Sequence, residues 1–271
     1  MICFADFWRM PAAIWSVLVL SCAAGCESAD TRRAPVVILA AASTKDLLEA
    51  VIAAIPSDEA PFANIQISTG PSHALAQQVL AGASADIYIS ANQAWADEVT
   101  QAGLAEQSVP WLSNQLVLVT PPISEISDIN DLVLPSVKRI AIAGEGVPAG
   151  IYAEQALRYH DLWKELTSSG KLVRGHDVRS TLAYAIRGEV DAAVVYASDA
   201  QIASSVKIVA RFNPASHPPI IYPLVRLHSG RSSPAADQLF TWLQSDAAMA
   251  LAKRHGFLPV PQPSPHPGRG E

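Results

Sequence analysis

The chain is 271 residues long, half of them apolar and 16% charged, so it can bury a sizeable core and falls outside the wholly disordered class. Its formal net charge of −6 argues against a nucleic-acid partner, because affinity for a phosphate backbone rests on clustered Lys and Arg. A small anion stays open as a ligand, since local backbone dipoles can hold one without a basic field.

In chain order, the first feature is a leader. Arg9 precedes an apolar run over 12–20, and Ser21-Cys22-Ala23-Ala24-Gly25-Cys26 follows it. A short apolar run ending in small residues reads as a secretory signal over residues 1–26, too short to span a membrane as a helix. Ala23-Ala24-Gly25-Cys26 also resembles a bacterial lipoprotein box, which would make Cys26 the lipidated first residue of a periplasmic or otherwise extracytoplasmic protein. The three cysteines, Cys3, Cys22 and Cys26, all lie here, so the rest of the chain has neither a disulfide nor a thiolate metal ligand.

From Pro35 onward strand-like and helix-like runs alternate. Residues 36–41 form a continuous apolar run, the mark of a strand buried on both faces. Residues 43–55 carry Leu47, Leu48, Val51, Ile52 and Ile55 on one helical stripe. Strands over 65–68 and 86–90 and helices over 75–80 and 94–102 continue the alternation, which implies a parallel sheet with crossover helices. A buried strand over 116–120 is stopped by Pro121-Pro122. A second series follows, with strands over 139–143, 171–174 and 191–196, helices over 149–160 and 178–188, and a closing segment over 207–212. Residues 213–219 break the pattern, and a strand over 220–227 leads into one long helix over 235–255 that can return to the first series. The expectation is an α/β chain of two lobes, 35–113 with 218–258 and 114–217, each a mostly parallel sheet flanked by helices, joined by two hinge crossovers. Residues 259–271, rich in proline, read as a flexible tail.

Four helix starts share a character. Ala40-Ala41-Ala42-Ser43 puts Ser43 at an N-cap, and Ser43 with Asp46 matches a capping box. Thr69-Gly70-Pro71-Ser72 precedes a second helix, and Val147-Pro148-Ala149 opens a third with proline in its first turn. Asp177, a preferred N-cap residue type, opens the fourth ahead of Val178 and Arg179. Each start places unbonded backbone N–H groups, and twice a hydroxyl, at the carboxyl end of a strand, the edge where open α/β sheets bind ligands. A hydrogen bond to a charged group contributes about 1.5–3 kcal/mol, so several converging donors can hold a small dianion without Arg or Lys.

Ala40-Ala41-Ala42-Ser43, Ala85-Asp86-Ile87-Tyr88-Ile89-Ser90-Ala91, Val147-Pro148-Ala149-Gly150-Ile151-Tyr152-Ala153, Val195-Tyr196-Ala197-Ser198-Asp199-Ala200 and Gly256-Phe257 occur in an order and spacing that resembles the ModA-type periplasmic molybdate-binding proteins of ABC importers, across residues 35–258. The resemblance implies a type II-like periplasmic binding protein fold. It implies a monomeric, non-catalytic receptor that needs no cofactor, captures molybdate or tungstate and hands it to an ABC permease. The donors it implies are the hydroxyl and amide of Ser43 and of Ser72, the amides of Ala149 and Val178, and the hydroxyl of Tyr196; they would meet the metal only through its oxygens. The family's serine run before the second helix is here Gly70-Pro71-Ser72-His73, which keeps Ser72 and introduces His73 as either a solvated residue or a pH-dependent extra donor. Asp177 and Arg179 are not expected to touch the ligand, and Asp86 is expected to orient loops.

A pocket of donors alone suits a fully deprotonated dianion. Phosphate often carries a proton and would leave one donor unmatched, whereas sulfate has to be rejected by size. The rivals are a receptor for sulfate or another oxyanion on the same fold, and a serine hydrolase using Ser43 or Ser72 with His73. Against the hydrolase, no Gly-x-Ser-x-Gly elbow occurs in the chain.

Overall fold

The computed structural model describes residues 35–56, 64–228 and 233–261. The expected leader with Cys26, and all of the expected tail beyond residue 261, lie outside the described residues. In chain order the elements are β1 (Val36–Ala41), α1 (Lys45–Ala53), β2 (Ile65–Gly70), α2 (Ser72–Leu80), β3 (Ile87–Ile89), α3 (Gln93–Gln101), β4 (Ala105–Asn114) and β5 (Leu116–Thr120). They continue with β6 (Ile140–Ala143), α4 (Pro148–Tyr159), α5 (Trp163–Ser168), β7 (Leu172–Gly175), α6 (Val178–Ile186), β8 (Ala192–Tyr196), α7 (Ala197–Gln201), β9 (Lys207–Arg211), β10 (Ile220–Leu227), α8 (Pro234–Trp242) and α9 (Asp246–Arg254).

The strands form two five-stranded sheets, ordered β2-β1-β3-β10-β4 and β7-β6-β8-β5-β9. In the first, β1 runs parallel to β2 and β3, as the strand–helix alternation predicts, while β10 lies antiparallel to β3 and β4. The second repeats the plan: β6 is parallel to β7 and β8, and β5 is antiparallel to β8 and β9. Strands β1, β3, β5, β6 and β8 are almost wholly buried, which is why each reads as an apolar run without alternation. The chain passes from the first sheet to the second between β4 and β5, across Gln115, and returns between β9 and β10. Helices flank both sheets, giving the two-lobed periplasmic binding protein architecture.

Three local expectations change. Strand β4 was not legible, because Glu106, Gln107 and Ser108 are exposed and polar; its pairing with β10 holds it, with irregularities beside Pro223 and at Leu227. The single helix expected over 235–255 is two: Ser245 accepts a hydrogen bond from the Ala248 amide to start α9, and Trp111 donates to the carbonyl of Leu243, where α8 ends. The chain also enters α1 through a 3₁₀ turn over Ala42–Thr44, so Ser43 has helical backbone geometry and cannot serve as an N-cap. Its hydroxyl turns to Tyr222, and the expected Ser43–Asp46 capping box is not made.

Candidate functional site

The carboxyl ends of β1, β2, β6, β7 and β8 lead to one small cavity. Its lining includes Ser43, Ser72, Ala149, Val178 and Tyr196 together, with Ala41, Ala42, Pro71, Ala91, Val147 and Pro148 as apolar wall. All five residues singled out as oxyanion donors thus face the same space from the two sheets. The space is small, with a cavity volume of ≈ 10 Å³, about what one water needs. Among the described residues, no lysine, arginine or histidine lines it.

The second lobe prepares its amides by local capping. In α4, Pro148 at the first position has no N–H, and the amides of Gly150 and Ile151 turn back to the Val147 carbonyl at 2.9 and 3.0 Å. Only the Ala149 amide is left open in that turn. Gly150 is required there, because a Cβ at this position would run into the carbonyl oxygens of Ala143 and Gly144. In α6, Asp177 and Ser180 close a reciprocal cap: Ser180 N donates to Asp177 Oδ1 at 2.7 Å, and Asp177 N donates to Ser180 Oγ at 2.9 Å. Asp177 lines the cavity, but its carboxylate is engaged in this cap, and the amide of Val178 remains at the helix start without an intrahelical acceptor.

Tyr196 completes this side. It is 1% exposed, and among the described residues its hydroxyl has no hydrogen-bond partner. Burial, reinforced by the nearby Tyr222, Tyr152 and Asp199, pushes its ionisation well above the usual range, so at neutral pH it is a phenol with a proton to give. A buried hydroxyl without a partner costs about 1–3 kcal/mol, which makes it a stored demand for an acceptor.

The first lobe orients side-chain hydroxyls instead. Ser72 Oγ accepts the Ala91 amide at 3.0 Å, so its own proton is free to donate elsewhere. Ser43 Oγ lies 3.0 Å from Tyr222 Oη, which in turn receives Asn114 Nδ2 at 3.3 Å. Asn114 has its orientation fixed, since its Oδ1 accepts the Gln115 amide at 2.9 Å and its Nδ2 also donates to Ser198 Oγ at 2.8 Å. With Tyr222 accepting from Asn114, its proton can pass to Ser43, and the Ser43 proton then points onward. Tyr222 and Asn114 were not singled out from the sequence. They sit inside ordinary strand segments, and no local motif marks them.

Arg179 and His73 stand beside the cavity rather than in it. His73 is half-buried and packs its ring 5.9 Å from that of Trp95; burial first, and His176 second, hold its pKa below the ordinary 6.5. It is therefore neutral at neutral pH and partly buried rather than fully solvated. Asp86 lies outside the cavity lining, and its Oδ2 accepts the amide of Val37 in β1 at 2.9 Å.

A family model described as bacterial extracellular solute-binding protein matches residues 36–258. The chain belongs to that family. The solute-binding protein is 34% identical over 233 residues to the molybdate-binding protein ModA of Haemophilus influenzae, a match covering 83% of this chain and 90% of the relative. The periplasmic molybdate-binding protein of Azotobacter vinelandii superposes with a TM-score of 0.75 at 20% identity, covering 84% of this chain and all of that one. The sulfate-binding protein SubI of Mycobacterium tuberculosis superposes with a TM-score of 0.67 at 17% identity, covering 83% and 87%. Likeness at those identities speaks for the fold alone, and receptors of one fold carry different anions. The choice of anion falls to the cavity.

Proposed function

We propose that this solute-binding protein captures molybdate, and also tungstate, and delivers it to the permease of an ABC importer. The observation that carries the reading is the buried Tyr196 hydroxyl, which has a proton to donate and no acceptor among the described residues, at a small cavity that the other four donor residues also line. Around it, Ser43 and Ser72 offer protons, Ala149 and Val178 offer amides, and no cationic side chain is needed. Helix-start amides favour negative charge by about 0.3–1 kcal/mol each, and more when partly buried. A tetrahedral dianion that only accepts hydrogen bonds matches this set, and the name of the Haemophilus relative supports molybdate as that dianion. A rigid backbone cage cannot contract around the shorter bonds of sulfate, so size provides the discrimination.

In this reading Ser43 and Ser72 belong to a lobe of residues 35–113 and 218–258, and Ala149, Val178 and Tyr196 to a lobe of residues 114–217. The chain crossings near Gln115 and before β10 serve as the hinge, and ligand binding favours the closed form that meets the permease. A lipid on Cys26 would hold the receptor at the outer face of the membrane.

Isothermal titration of the protein with molybdate, tungstate, sulfate and phosphate tests the assignment. Molybdate and tungstate should bind tightly and raise the melting temperature, and sulfate and phosphate should do so far less. Equal affinity for sulfate would move the protein to the rival oxyanion class. Ser43→Ala combined with Tyr196→Phe should weaken molybdate binding while leaving the fold intact, and an unchanged affinity would place the site elsewhere.

A further inference from the structure

Arg179 is the second residue of α6, directly after Val178, yet it contacts both lobes. Its Nη2 donates to the carbonyl oxygen of Ser43 at 3.2 Å and lies 2.6 Å from Oδ2 of Asp46 in the first turn of α1. Its Nε lies 2.7 Å from Oδ1 of Asp199 in α7, a carboxylate with no solvent exposure. The two carboxylate contacts are close charge pairs without hydrogen-bond alignment, whereas the bond to the Ser43 carbonyl is aligned. One planar guanidinium is therefore seated on a buried carboxylate of its own lobe and reaches across the cleft to the other.

We propose that Arg179 is a latch between the lobes: seated on Asp199, it grips the Ser43 carbonyl and Asp46 when the cleft is closed, and so holds Ser43 in place over the cavity and slows release of the anion. The inference rests on the reading of the protein as a closing anion receptor. It makes Arg179 a positioning residue that never touches the ligand. Several features separate it from an incidental surface ion pair. The inner carboxylate is wholly buried, the arginine side chain is only 24% exposed, and the backbone it grips belongs to a residue lining the cavity. Its charge is spent on Asp199 and Asp46, with Asp177 the other carboxylate acting on Asp199, which keeps a strong point charge away from the uncharged donors. Other contacts span the same cleft, from Asn92 Nδ2 to Tyr152 Oη at 3.1 Å and from Trp95 Nε1 to the Gly146 carbonyl at 3.3 Å, but neither carries charge or seizes a residue of the cavity wall.

Asp46 is the place to cut, because it is 41% exposed and its replacement leaves the buried Arg179–Asp199 pair intact. Stopped-flow release and equilibrium titration would be measured on the full chain, using whichever of molybdate, tungstate, sulfate and phosphate the wild type binds best. Asp46→Asn should speed release about threefold to tenfold, with association changed by less than about twofold, as expected for a half-exposed pair acting on dissociation. Asp46→Glu should restore slow release, and the melting temperature of the ligand-free protein should stay within about 2 °C in both variants, as for a surface substitution. Arg179→Gln should speed release at least as much as Asp46→Asn, and the two changes together should be less than additive. A wild type that binds while Asp46→Asn and Arg179→Gln release at its rate overturns the latch and leaves the proposed function standing. A wild type that binds none of the four anions overturns both.

Discussion

The two halves of the cavity reach the same chemistry by different routes. On the second-lobe side the work is local: a proline removes one N–H, backbone bonds to Val147 consume two others, a capping box takes two more, and the Ala149 and Val178 amides stay open at residues that line the cavity. On the first-lobe side the hydroxyls of Ser43 and Ser72 are aimed by partners far away in sequence, Tyr222 at 179 residues' separation and Ala91 at 19. Backbone amides have one fixed direction, so a turn suffices to aim them. A hydroxyl rotates, and only an acceptor or donor on another element fixes it. One half can therefore be damaged by a change in the turn, and the other by a change in a distant strand.

The largest effect should come from the turn. Gly150→Ala forces a Cβ against the Ala143 and Gly144 carbonyls, shifting the start of α4 and the Ala149 amide with it. Overpacking of this kind costs about 1–3 kcal/mol, so denaturation midpoints should fall and anion affinity should fall further than stability alone explains. Retention of wild-type affinity would mean that the Ala149 amide is not a ligand.

A paired tyrosine experiment sharpens the contrast. Tyr196→Phe removes a hydroxyl that the ligand-free protein leaves unsatisfied, so affinity should drop by about one to two orders of magnitude, the worth of a hydrogen bond to a charged group, while apo stability holds or rises. Tyr222→Phe removes the middle of the Asn114–Tyr222–Ser43 chain, so both affinity and apo stability should fall. If both variants lose apo stability equally, the distinction between a waiting donor and a wired one fails.

The last contrast is a slope. Burial holds the Asp199 carboxyl at about 7, far above its ordinary 3.8, with Arg179 only partly opposing the shift. The folded state thus binds more protons at this group than the unfolded state between pH about 4 and pH about 7, and its contribution to stability declines as pH rises through that window. Asp199→Asn should flatten that part of the stability–pH profile, measured by chemical denaturation at pH 4.5, 6 and 7.5. An unchanged slope would mean the carboxyl titrates normally.

The Asp177 cap was readable as a short run before a helix, and its geometry follows from residues within three positions of one another. The Ser43 cap was equally readable and does not form, because a 3₁₀ turn moved the helix start and a tyrosine from β10 claimed the hydroxyl. Strand β4 escaped notice for the same reason: its polar residues show no pattern until β10 lies beside it.

By itself, then, the order of residues determined the α/β alternation, the runs buried within two sheets and the helix starts that line the cavity, since periodicity and capping act over a few residues. Tertiary structure alone decided the antiparallel return of β10, the Tyr222–Asn114 relay and the reach of Arg179 from one lobe to the other. Those features depend on side chains meeting across long separations, where only the packed fold specifies which donor finds which acceptor.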